Sequence, residues 1–73
     1  MELTSLEKWG IMSRRLKVYE KSPELRQGQR MMNALYDADP ILYNHILSTE
    51  YDCFDDDTKV NNFLTKLVQE WSK

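Results

Sequence analysis

Asp52, Asp55, Asp56 and Asp57 crowd into one short run, and carboxylates so spaced are the oxygen donors that Ca²⁺ or Mg²⁺ takes. An EF-hand loop starting at Asp52 fails. It puts Phe54 at the third position, Asp57 where the loop needs glycine, and Phe63 where it needs glutamate. The same acids suit another task, because they directly precede a helical pattern. There, carboxylates cap free amides and meet the positive end of the helix dipole. Capping is the reading the spacing favours, and no metal is assigned.

His45 and Cys53 are the other groups with chemistry to offer. An imidazole titrates near neutrality, but no nucleophile pattern surrounds His45, which falls in an apolar helix and is expected hydrogen-bonded at the edge of the core. Cys53 is the only cysteine, so no internal disulfide forms, and one thiol with one histidine makes no zinc site. A reactive thiolate needs cations nearby; the neighbours of Cys53 are acids, which raise its pKa. With no nucleophile–base pair, phosphate loop or ligand set, the chain is read as a non-enzyme without a cofactor.

Charge is divided along the chain. Lys8, Arg14, Arg15, Lys17, Lys21, Arg26 and Arg30 face only Glu20 and Glu24 in the same stretch. The stretch from 31 to 57 then holds Asp37, Asp39, Glu50 and the aspartate run with no cation at all. Arg14, Lys17 and Lys21 share a helix face, and with Arg30 they are candidate phosphate contacts. Two facts weigh against nucleic acid. The pI is about 5.3, and the short segment Ile41–Leu47 carries no Arg, Lys or Gln to read base edges. Nucleic-acid binding is therefore the alternative reading. Otherwise the basic face is solvated, or meets the acidic stretch of this chain or of a second copy.

The elements that hold these residues are all helical. Thr4-Ser5-Leu6-Glu7 has the form of a capping box, and Leu6, Trp9, Met12, Leu16 and Tyr19 follow at three- and four-residue spacing. Ser22-Pro23-Glu24 is a second start signal, with proline at the first helical position. It leads into Leu25, Gly28, Met31, Met32, Leu35 and Tyr36 as a buried face. Gly28 on that face predicts close approach by another backbone. Asp39-Pro40 repeats the signal and opens a short helix, apolar on most sides, that is expected at the centre of the core. Val60, Phe63, Leu64, Leu67, Val68 and Trp71 then complete one unbroken helical stripe. The reading is an all-α bundle of four helices, at about residues 5–21, 23–37, 40–47 and 57–72. Of the aromatic residues, most fall on these stripes and are expected in the core rather than free to stack bases.

At 73 residues the chain is one domain. Its 41% hydrophobic and 30% charged content is that of a folded protein. A chain so short is marginally stable alone, so either its helices pack unusually well or a second copy or partner completes it. No apolar run reaches the ~18 residues of a membrane span, and no signal-peptide core follows Glu2. A cytoplasmic setting is expected.

Gly28-Gln29, Asn33-Ala34-Leu35-Tyr36, Asp39-Pro40, Ile46, Thr49, Asp52 and Asp55-Asp56 resemble a pattern found in a family of short uncharacterised bacterial and phage proteins. The core of the resemblance is G-Q-x-x-x-N-A-L-Y-x-x-D-P. It implies a bacterial, phage or prophage source and brings no activity with it.

Ile11 and Val18 remain unexplained by the apolar stripe of the first helix. They lie on its far side, beside Arg14 and Arg15, which means either burial on both sides of the helix or an outward contact surface, and arginine beside apolar residues is a composition that interfaces favour. Ile11, Arg14, Arg15 and Val18 are the first candidate partner-binding surface. Asp52, Asp55 and Asp56 are a second, of opposite charge. The expected partner is another protein or a second copy in a homodimer, with no membrane.

Overall fold

The first helix, α1, begins where the capping box predicts it. In the computed structural model, which describes residues 3–72, α1 spans Ser5–Tyr19. Thr4 Oγ1 accepts the Glu7 amide at 3.2 Å, and Glu7 Oε1 accepts the Thr4 amide at 3.0 Å. These bonds from Thr4 hold the Glu7 carboxyl below its usual range. Met12 is buried, and Trp9, Leu16 and Tyr19 pack beside it. Leu6, expected on this face, is instead 82% exposed. It sits about 120° round the helix from Met12, and the helix is turned so that Trp9 meets Trp71 edge to face at 4.6 Å.

The second helix starts later than its proline suggests. Ser22, Pro23 and Glu24 form a turn, closed by the Leu25 amide on the Ser22 carbonyl at 3.0 Å. Proline has one φ for the first position of a helix and for the second of a turn, so the signal serves either. Helix α2 spans Gln27–Ala38, with Gln29 Oε1 accepting the Arg26 amide at 2.9 Å. Its buried residues are Gly28, Met32, Ala34, Leu35 and Ala38. Tyr36 points outward, against the edge of Tyr43 at 5.2 Å.

Asp39 ends α2 and caps α3, Pro40–Ile46, accepting the Leu42 amide at 3.1 Å. Only Leu42 and Ile46 of α3 are buried. Ile41 and Leu47 are exposed, which corrects the expectation of a central helix: α3 packs one side on α2 and shows the other to water. A 3₁₀ turn, Asp57–Lys59, leads into α4, Val60–Trp71. Val60, Phe63, Leu67 and Trp71 are buried there, Leu64 partly, and Val68 is exposed. Among the described residues there is no strand, and α2 is the element on which α1, α3, α4 and the 3₁₀ turn all pack. The architecture is an all-α bundle of four helices.

The two glycines differ. A Cβ built on Gly28 falls 1.7 Å from the Cys53 carbonyl oxygen, as its place on the apolar face predicts, whereas one on Gly10 meets nothing within 4 Å. Gly10 lies inside α1 with no steric reason to be glycine. Gly10→Ala is expected to raise unfolding stability by about 1 kcal/mol, read by urea denaturation at low protein concentration.

Candidate protein-binding surface

Helix α1 turns its core stripe inward and so carries Arg14, Arg15 and Val18 to the outside, while Ile11, expected on the far side, is half-buried beside them and packs against the edge of the core. The four line one shallow cleft of about 470 Å³, and Asp37 from α2 closes it. Asp37 Oδ2 accepts the Tyr19 hydroxyl at 2.7 Å and pairs with Arg15 Nε at 3.5 Å. The bond to Asp37, then burial and the carboxylate charge, pushes the Tyr19 phenol above its ordinary pKa. Arg15 is thus steered by a neighbour that is itself fixed. Arg14 has no carboxylate partner among the described residues, and Val18 is 54% exposed. The cleft continues across Ile11 and Arg14 into a notch lined by Leu6, Glu7 and Gly10. Aliphatic surface framed by one anchored and one unpaired guanidinium can desolvate against a partner and still offer directed hydrogen bonds.

Asp37 escaped the sequence reading, although its place on the polar face of α2 was visible. The charge division folds partly onto itself, one of the alternatives the sequence left open for the basic stretch: besides Arg15–Asp37, Lys8 Nζ reaches Asp39 Oδ2 at 3.0 Å.

Asp52, Asp55 and Asp56 are also brought together, lining a shallow depression with Ser48, Thr49 and Lys59. Asp52 and Asp56 spend their carboxylate oxygens on neighbouring groups. Asp52 takes the amides of Ser48 at 2.8 Å and Phe54 at 3.0 Å, where Ser48 adopts a left-handed φ of 64°. Asp56 caps the 3₁₀ turn through the Thr58 hydroxyl and amide, which lower its pKa. Asp57 accepts the Gly28 amide at 2.9 Å, and the Asp55 carbonyl accepts Arg26 Nη1 at 3.3 Å. Among the described residues no group of His, Cys, Asp or Glu is arranged to hold a metal ion.

The remaining candidates are dispersed. Lys17 is exposed on α1 and Lys21 in the turn after it. Arg30 is half-buried on α2 with Nε withdrawn from water and without a hydrogen-bond partner. His45, expected at the core edge with a hydrogen bond, is exposed on α3 because only Leu42 and Ile46 face inward. Cys53 is fully buried, its Sγ donating to the Gly28 carbonyl at 3.6 Å. Burial first, then the charges of Asp52 and Asp57, push its thiol up to about 11. Of the aromatic residues, Tyr36 alone is exposed.

No family model, curated protein or solved structure matches the chain. No helix of the described residues is long and apolar enough to cross a membrane.

Proposed function

We propose that this chain is a small non-enzymatic protein-interaction module, a regulator, adaptor or inhibitor that works by surface recognition. The observation that carries the reading is the cleft of Ile11, Arg14, Arg15 and Val18, where an exposed valine and a half-buried isoleucine at the edge of the core meet arginines at one place. The depression at Asp52, Asp55 and Asp56 offers a second surface of opposite charge. The motif resemblance supports a bacterial, phage or prophage source, and the reduced, buried Cys53 suits a cytoplasmic setting.

Ile11→Ser with Val18→Ser tests this reading. Both positions lie outside the fully buried core, so helical content should hold while the oligomer mass falls or specific capture of a partner drops about tenfold or more. Unchanged mass together with unchanged capture removes the cleft from the reading. The alternative, nucleic-acid binding through Arg14, Lys17, Lys21 and Arg30, draws support from the unpaired Arg14. It requires retention of DNA or RNA that weakens steeply with salt, so a gel shift at two salt concentrations separates the two.

A further inference from the structure

We propose that the occupant of the outer α1 face is a second copy of this chain, packed antiparallel about a two-fold axis passing between Gly10 and Ile11. This inference rests on the reading of that face as a binding surface and names its partner.

The exposed aliphatics come first. Val18 is 54% exposed at the C-terminal end of the face, and Ile11 is half-buried at its middle. Gly10 is the second observation. It breaks no contact if enlarged and weakens the helix it belongs to, yet it opens a notch beside Ile11 and Arg14. A neighbouring helix that enters the notch gives Gly10 a packing reason that the single chain lacks.

Charge fixes the register. Glu7, Gly10, Ile11, Arg14 and Val18 lie within a stripe about 100° wide on α1. The two-fold between Gly10 and Ile11 sets Ile11 over Gly10 of the second copy and Glu7 against Arg14. Each pairing then occurs twice, as an isologous contact requires. Parallel packing would oppose Glu7 to Glu7 and Arg14 to Arg14. An antiparallel register one half-turn away would press Glu7 on Val18 and Arg14 on Ile11, leaving both charges unpaired. Arg15, held by Asp37, stays at the rim. One helix about 22 Å long buries less than a standard interface, so the dimer exchanges with monomer at about 10 µM to 1 mM.

Sedimentation equilibrium across that concentration range, with circular dichroism on each variant, is the test. Wild type should pass from monomer to dimer. Arg14→Glu should raise the dissociation constant about tenfold or more, and Glu7→Lys with Arg14→Glu should restore it to within about threefold. Gly10→Leu should stay monomeric with undiminished helicity, because a Cβ at this position meets nothing within 4 Å and the rest of the side chain fills the notch. A dimer indifferent to both Arg14→Glu and Gly10→Leu overturns the inference, as does a folded double variant that fails to recover. Where the double variant is unfolded for want of the Glu7 cap, the other two variants decide alone. Wild type monomeric throughout also overturns it. If Ile11→Ser with Val18→Ser still abolishes capture of a foreign partner in that case, the proposed function stands with a different protein on this face.

Discussion

Gly28→Ala should cost about 3 kcal/mol or more, enough to leave a chain of this size largely unfolded at room temperature. The methyl carbon would stand 1.7 Å from the Cys53 carbonyl oxygen and 2.8 Å from its carbon, with Asp57 Oδ1 at 3.1 Å. The first two obstacles are backbone, so no rotamer change relieves them. The loop must retreat, and its retreat breaks two further links across the same gap. One is the Gly28 amide to Asp57 at 2.9 Å, and the other is the Cys53 thiol to the Gly28 carbonyl at 3.6 Å. Cys53 is buried to its last atom, so moving it also opens the core beside α2. Thermal unfolding followed by circular dichroism is the measurement. The comparison with Gly10→Ala is decisive, because the chemical change is identical and the expected sign is opposite. A Gly28→Ala chain as stable as wild type would mean that the loop does not lie against α2.

That contrast shows what was legible in the sequence. Gly28 could be read as a close approach because it interrupts an apolar face, where a missing side chain must be replaced by something. The Thr4–Glu7 box and the α4 stripe were legible for a related reason: the residues that decide them are neighbours in the chain. The start of α2 was not legible, since Pro23 has the same φ in a turn as in a first helical residue. Leu6 and Met12 each stand three residues from Trp9, on either side of it round the helix, and only the contact of Trp9 with Trp71 decides which of them faces inward. Ile11, Arg14, Arg15 and Val18 could be grouped because they lie off the stripe of one helix. Asp37, which orders Arg15, lies on another helix and is joined to the group only by the packing of α1 on α2. Of the acidic run expected to cap the last helix, Asp56 caps the 3₁₀ turn leading into α4 while α4 itself has no side-chain cap, and the reach from Asp57 to Gly28 depends on a loop geometry that no local pattern encodes.

Asp39 should be the costliest polar residue to remove. Its Oδ1 accepts the Leu42 amide at 3.1 Å, and its Oδ2 takes Lys8 Nζ at 3.0 Å and Trp71 Nε1 at 3.1 Å. One carboxylate at the end of α2 thereby fastens α1, α3 and α4, and only 12% of its side chain is exposed. Asp39→Ala should cost about 3 kcal/mol, from a lost cap and a Trp71 N–H left without its acceptor. Asp39→Asn keeps the shape and one acceptor oxygen but forfeits the charge, so roughly 1–2 kcal/mol is expected. The two variants also separate in their response to acid. Burial alone would raise the Asp39 pKa, but the bonds from Leu42, Lys8 and Trp71 together outweigh it and hold the group below its ordinary 3.8. A carboxyl depressed in the fold binds its proton more readily when unfolded, so its stabilisation is complete above that ordinary value and is lost as pH falls through the folded one. Urea midpoints between neutral pH and about pH 2 should therefore fall more steeply for wild type than for Asp39→Asn, and the two curves should converge at the acid end. Parallel curves would show that the charge on Asp39 contributes nothing to the join, and that its shape alone holds the three helices.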